Sequence, residues 1–94
     1  MSYIDSLAQS IQSRVPEDAL PEGDIAALFR LYALLALSKG EQVTARDVHD
    51  AWAVWMTEED PNHPSIQPFD QLTSEKQEED EVWVEAIRSA ASGR

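Results

Sequence analysis

Apolar residues near the start of the chain recur at helical spacing. Ile4, Leu7, Ala8, Ile11 and Val15 share one face, with Ser6, Gln9, Ser10 and Ser13 off it. This predicts an amphipathic helix over about residues 3–15, stopped by Pro16. The turn-rich connector PEDALPEG follows, and Asp24 is placed to cap a second helix over about 24–39. That helix is apolar almost all round: Ile25, Leu28, Phe29, Tyr32, Leu35 and Ala36 make a stripe that Leu31, Leu34 and Leu37 widen, so it should contact neighbours on several sides. Lys39 and Gly40 suit its C-terminus. Thr44-Ala45-Arg46-Asp47 reads as a capping box with Asp for the usual Glu and opens a third helix, about 45–57, carrying Val48, Ala51, Trp52, Val54, Trp55 and Met56. Thr73 or Ser74, with Gln77, opens a fourth over about 74–91, whose inner side is Val82, Trp83, Ala86, Ile87 and Ala90.

Between the third and fourth helices lies a stretch with a different character. HPSIQPFDQL holds two prolines, which bias His63 and Gln67 away from helix, and it spaces Ile66, Phe69 and Leu72 by three. We read residues 58–72 as an extended, proline-containing strap laid across the helices. No run alternates with period two for long enough to make a strand. The expected fold is therefore all-α: a compact four-helix domain formed by residues 1–94, which is too short for a second core.

Charge narrows the function. Eighteen acids against seven bases give a net charge of -11, a sign that repels phosphate backbones, so direct nucleic-acid binding is not expected. The acids concentrate late: residues 48–94 hold eleven acids and three bases, residues 1–47 seven and four. Cysteine is absent, which removes disulfides and thiolate metal sites and suits a reducing compartment. We see no signal-peptide pattern, and the apolar run Ile25–Leu37, interrupted by Arg30, falls short of the ~20 residues of a membrane span. A cytoplasmic protein with no membrane association is expected.

Two resemblances add context. LYALLALSKGEQVTARDVHDAWAVWM followed by HPSIQPFDQLTSEKQEEDEVWVEAIRSAA resembles a family of small uncharacterised proteins of actinobacteria and their bacteriophages. His63-Pro64, the run Pro68-Phe69-Asp70-Gln71-Leu72 and Asp80 are similar to the end of the ryanodine-receptor repeat (RyR) domain. The second resemblance implies a small binding module rather than a catalyst.

Candidate chemistry is sparse. Trp52 and Trp55 lie three apart on one predicted helix and Trp83 lies on the last; they suit a core, with Asp80 or Asp50 as indole partners, or else an aromatic binding patch. His49, Asp47 and Asp50 lack the i, i+4 histidine pair of a helical zinc site. Asp60-Pro61-Asn62 begins like a calcium loop, but Ser65 stands where the turn needs glycine and Gln71 where a bidentate glutamate belongs. No nucleophile elbow or phosphate-cradling glycine loop is present. The acids Glu75, Glu78, Glu79, Asp80 and Glu81, with Glu58, Glu59 and Asp60, suit a solvated face or a dock for a basic surface.

The expected function is a small acidic, non-enzymatic protein-interaction module, phage-encoded and acting on a host or viral protein, with no cofactor, metal or catalytic residue. Its candidate surface comprises Trp52, Trp55, His63, Pro68, Phe69, Asp80, Glu58, Glu59, Glu78 and Glu79. The alternatives are a nucleotide-like small-ligand module of RyR type and an inhibitor that imitates nucleic acid.

Overall fold

Helix starts in the computed structural model, which describes residues 2–93, follow local capping chemistry. The Ser2 hydroxyl accepts from the Asp5 amide ahead of α1 (Tyr3–Gln12), and the Asp24 carboxylate from the Ala27 amide ahead of α2 (Ile25–Lys39). Thr44 and Asp47 cap each other's amides in a full capping box ahead of α3 (Ala45–Glu59), and the Thr73 hydroxyl accepts from Lys76 ahead of α4 (Ser74–Glu79). α5 (Glu81–Ser92) follows after a single non-helical residue, Asp80. Among the described residues there is no strand. The architecture is the all-α four-helix domain that the periodicity predicts, with its fourth helix in two pieces.

Three boundaries depart from expectation. α1 stops at Gln12 because the Arg14 and Val15 amides turn back to Ile11 and Gln12, a tighter turn that leads into Pro16, yet Val15 still enters the core. α3 runs on to Glu59, closed by the Asp60 amide on the Met56 carbonyl, with Pro61 next in the chain. The predicted fourth helix breaks at Asp80. α4 buries none of its residues and is tied to the strap, where Gln77 Nε2 donates to the Phe69 and Leu72 carbonyls, whereas α5 places Val84, Ala86, Ile87 and Ala90 in the core. The Asp80 carbonyl starts α5 by accepting from Trp83 and Val84.

α2 is the hub. It packs against α1, α3 and α5, burying Leu28, Phe29, Tyr32, Ala33 and Ala36, as its all-round apolarity requires. Phe29, Tyr32 and Trp83 form an aromatic cluster with centroids 5.6–5.8 Å apart, joining α2 to α5. Gly40 ends α2 at φ +60 and opens a short 3-10 turn (Gly40–Gln42) that leads to the buried Val43. Arg88 of α5 donates from Nε and Nη2 to the Val43 carbonyl at 2.9 and 2.7 Å, which fastens that turn to the last helix.

The strap is not extended. It is a succession of tight turns, with the amides of His63, Ile66 and Gln71 returning to the carbonyls of Asp60, His63 and Pro68, and it contains a 3-10 turn at Phe69–Gln71. Leu72 is buried, while Ile66 and Phe69 are half-buried.

Candidate functional site

The strap and α3 enclose a hollow of about 200 Å³ lined by His49, Trp52, His63, Ser65, Leu72, Lys76 and Glu79. His49 is only 4% exposed. Its Nε2 lies 2.6 Å from the Gln67 carbonyl, and because a carbonyl only accepts, that nitrogen must carry the proton. Trp52 stacks on His49 with centroids 5.6 Å apart, and His63 meets Trp52 edge-on at 5.1 Å. His63 Nδ1 accepts from the Ser65 amide at 3.0 Å, so a neutral His63 holds its proton on Nε2 and has no free lone pair to act as a base. Phe69 leans on His49, and the Arg46 guanidinium lies over the Phe69 ring, 5.5 Å from its centroid, while donating to Asp70 at 2.7 Å. Lys76 and Glu79, 3.6 Å apart, line the same hollow.

Asp80 is the electrostatic outlier of this region. Half-burial pushes its carboxyl up to about 6; His49 draws it down, and Glu79 and Glu81 push it up again. Among the described residues no group of three His, Asp or Glu side chains is arranged to hold a metal ion.

The three tryptophans do not share a pocket. Trp52 belongs to the strap hollow, and Trp83 to the Phe29–Tyr32 cluster. Trp55, 4% exposed, turns the other way and donates from Nε1 to the Asp24 carbonyl at 2.9 Å, so its indole partner is a backbone oxygen at the start of α2 instead of Asp80 or Asp50. Trp52, His63 and Glu79 thus gather at one place, with Phe69 against His49 and Asp80 within electrostatic reach of it. Trp55, Glu58 and Glu59 gather at another, and Pro68 and Glu78 are exposed outside both.

That second place is a groove of about 390 Å³ between α2 and α3. Ala27, Leu31, Val54 and Trp55 form its apolar lining, and Asp24, Glu58 and Glu59 its rim. Its end is shaped by Gly23 at φ +110, where a β-carbon would collide with the Glu59 carboxylate and press on the Trp55 ring. Glu59 is tied there, accepting from the Asp24 amide at 2.6 Å. Val54 is 61% exposed, and Leu34, which follows Ala27 and Leu31 on the same side of α2 by helical spacing, is 56% exposed. Sequence reasoning missed this groove as a site, although two signals pointed to it: α2 has more leucines than one core face needs, and Val54 falls off the Val48–Ala51–Trp55 stripe of α3.

Residues 2–92 match the domain of unknown function DUF7701. The chain belongs to the DUF7701 family. Comparison with curated proteins and with solved structures gives no match. The DUF7701 domain runs from the first residue described to the last turn of α5, so both the strap hollow and the α2–α3 groove lie inside it. Among its described residues no helix is long and apolar enough to cross a membrane.

Proposed function

We propose that this DUF7701 chain is a non-enzymatic protein-interaction module that engages its partner through the α2–α3 groove. The observation that carries this reading is apolar surface left in water along α2 and α3. Val54 and Leu34 are more than half exposed, beside a hollow already floored by Leu31 and Trp55. Covering each of these two side chains recovers on the order of 1 kcal/mol, which a solitary chain forgoes. The likeness to actinobacterial and actinobacteriophage proteins supports a host or viral protein as partner.

Two other readings have less behind them. A small-ligand site in the strap hollow has about 200 Å³ to offer, below the roughly 300–1,000 Å³ of most ligand pockets, and its Trp52 ring is already contacted by His49 and His63. Nucleic-acid mimicry needs free carboxylates. Several here are committed: Asp5 to Arg30, Asp47 to Lys39, Asp70 to Arg46, Glu79 to Lys76, and Glu59 to the Asp24 amide.

Affinity capture from actinobacterial lysates, infected and uninfected, tests the proposal. The wild-type chain is expected to retain a protein that a Val54→Asp chain with the same circular dichroism does not. Retention by both chains refutes this surface.

A further inference from the structure

Resting on that reading, we infer that the occupant of the α2–α3 groove is a short amphipathic helix whose apolar stripe is flanked by lysine or arginine. The first argument concerns hydrogen bonding. The groove runs along the first turns of α2 and the last turns of α3, where the Ala27 amide is capped by Asp24, the Asp24 amide by Glu59 and the Met56 carbonyl by the Asp60 amide, so it offers side chains and no sheet edge. An extended peptide laid here would find no sheet edge to pair with and would leave its own backbone unsatisfied against apolar surface. A helix brings its backbone bonds with it.

The second argument concerns length. Ala27, Leu31 and Leu34 follow one another at i, i+4 and i+7 along α2, a span of roughly 10 Å at helical rise, which matches about two turns of an incoming helix. Such an occupant would present anchors at its own i, i+3 or i+4, and i+7 positions.

The third concerns charge. Asp24, Glu58 and Glu59 rim the groove, Asp24 and Glu59 each also accepting from a backbone amide there, none of the described residues lining it is basic, and Arg30, which neighbours Leu31 in sequence, is paired with Asp5 of α1 at 2.8 Å. Bases on the flanks of the occupant complement this rim. A second copy of the chain would instead bring the same carboxylates face to face, on a molecule that already carries -11.

Titration calorimetry on the full chain with three synthetic peptides tests the inference: a helical peptide with leucines at i, i+3, i+4 and i+7 and lysine flanks, its counterpart with glutamate flanks, and a scramble of the first. The lysine-flanked helix should bind and the other two should bind at least about tenfold more weakly. Val54→Asp should weaken it by about tenfold or more. Glu58→Lys should weaken it about three- to tenfold, while Glu78→Lys, the same charge change on exposed α4, should alter it by less than about twofold. Equal effects of Glu58→Lys and Glu78→Lys would mean that unfocused charge does the binding, and equal binding of the scramble would remove the helix; either overturns the inference. So would a dimer in light scattering that Val54→Asp dissociates, since the occupant would then be a second copy. If no peptide binds while Val54→Asp still loses its partner from lysate, the occupant is wrong and the interaction reading stands. If Val54→Asp keeps that lysate partner, the groove itself is wrong.

Discussion

Asp80 concentrates the residue-scale physics of this molecule, because it sits at a helix break, within electrostatic reach of His49, with its carboxyl half out of water. Half-burial raises it to about 6 from 3.8, so between those values the folded chain binds a proton that the unfolded chain has lost. Stability then falls as pH rises: Asp80's contribution is intact below 3.8 and gone above about 6. After discounting for the solvent that still reaches it, the change is about 1 kcal/mol. Asp5 and Asp47 act in the opposite sense. Arg30 and Ser2 hold Asp5 down; burial raises Asp47, but Thr44 and Lys39 together outweigh it and hold it down, and the stability these contacts provide is lost as pH drops below 3.8. The two effects occupy different windows. Urea unfolding across both should show Asp80→Asn flattening the decline between 3.8 and about 6 and leaving the acid limb unchanged; a parallel shift of the whole curve would assign Asp80 a structural role only.

At the scale of elements, what could be read from sequence was whatever depends on neighbours within a few positions. Asp24, Thr44 with Asp47, and Thr73 cap the helices they were expected to cap, because a side chain reaching an amide two or three residues on is local geometry. The break at Asp80 was not readable, since the acids before it and the apolar positions after it both suit helix, and only tertiary packing distinguishes α4 from α5. Nor was the parting of Trp52 and Trp55. Three residues put them about 60° apart on the helix, close enough to look like one face, yet α3 lies between the strap and α2 and that angle sends them to different neighbours. The strap shows the same limit. Sequence spacing laid Phe69 across the helices without choosing one or fixing its depth, and it is found against His49 of α3. A fully buried phenylalanine would cost about 3 kcal/mol or more on truncation; this half-buried ring, leaning on His49 and Arg46, should cost about 1–2 kcal/mol as Phe69→Ala. Chemical denaturation measures it, and a loss above that range would mean the ring locks the strap as a core residue.

Over the whole molecule, charge acts on stability and on binding with opposite signs. Salt weakens the ion pairs Arg30–Asp5, Lys39–Asp47, Arg46–Asp70 and Lys76–Glu79, but these are mostly exposed pairs, which contribute little to stability. Salt also screens the repulsion among eighteen acids opposed by only seven bases, and four of those bases are already taken up by these pairs. Among the described residues the acids outside these pairs outnumber those within them, so screening should stabilise the fold. Raising ionic strength from near zero to physiological should lift the thermal midpoint by a few degrees, roughly 1 kcal/mol for a domain of this size. The same change should weaken capture of a basic helix by the Asp24–Glu58 rim. Measured on one preparation, midpoint and affinity should therefore move in opposite directions with added salt. A midpoint that falls with salt would show instead that the ion pairs, and not the excess of acids, govern the electrostatics of this fold.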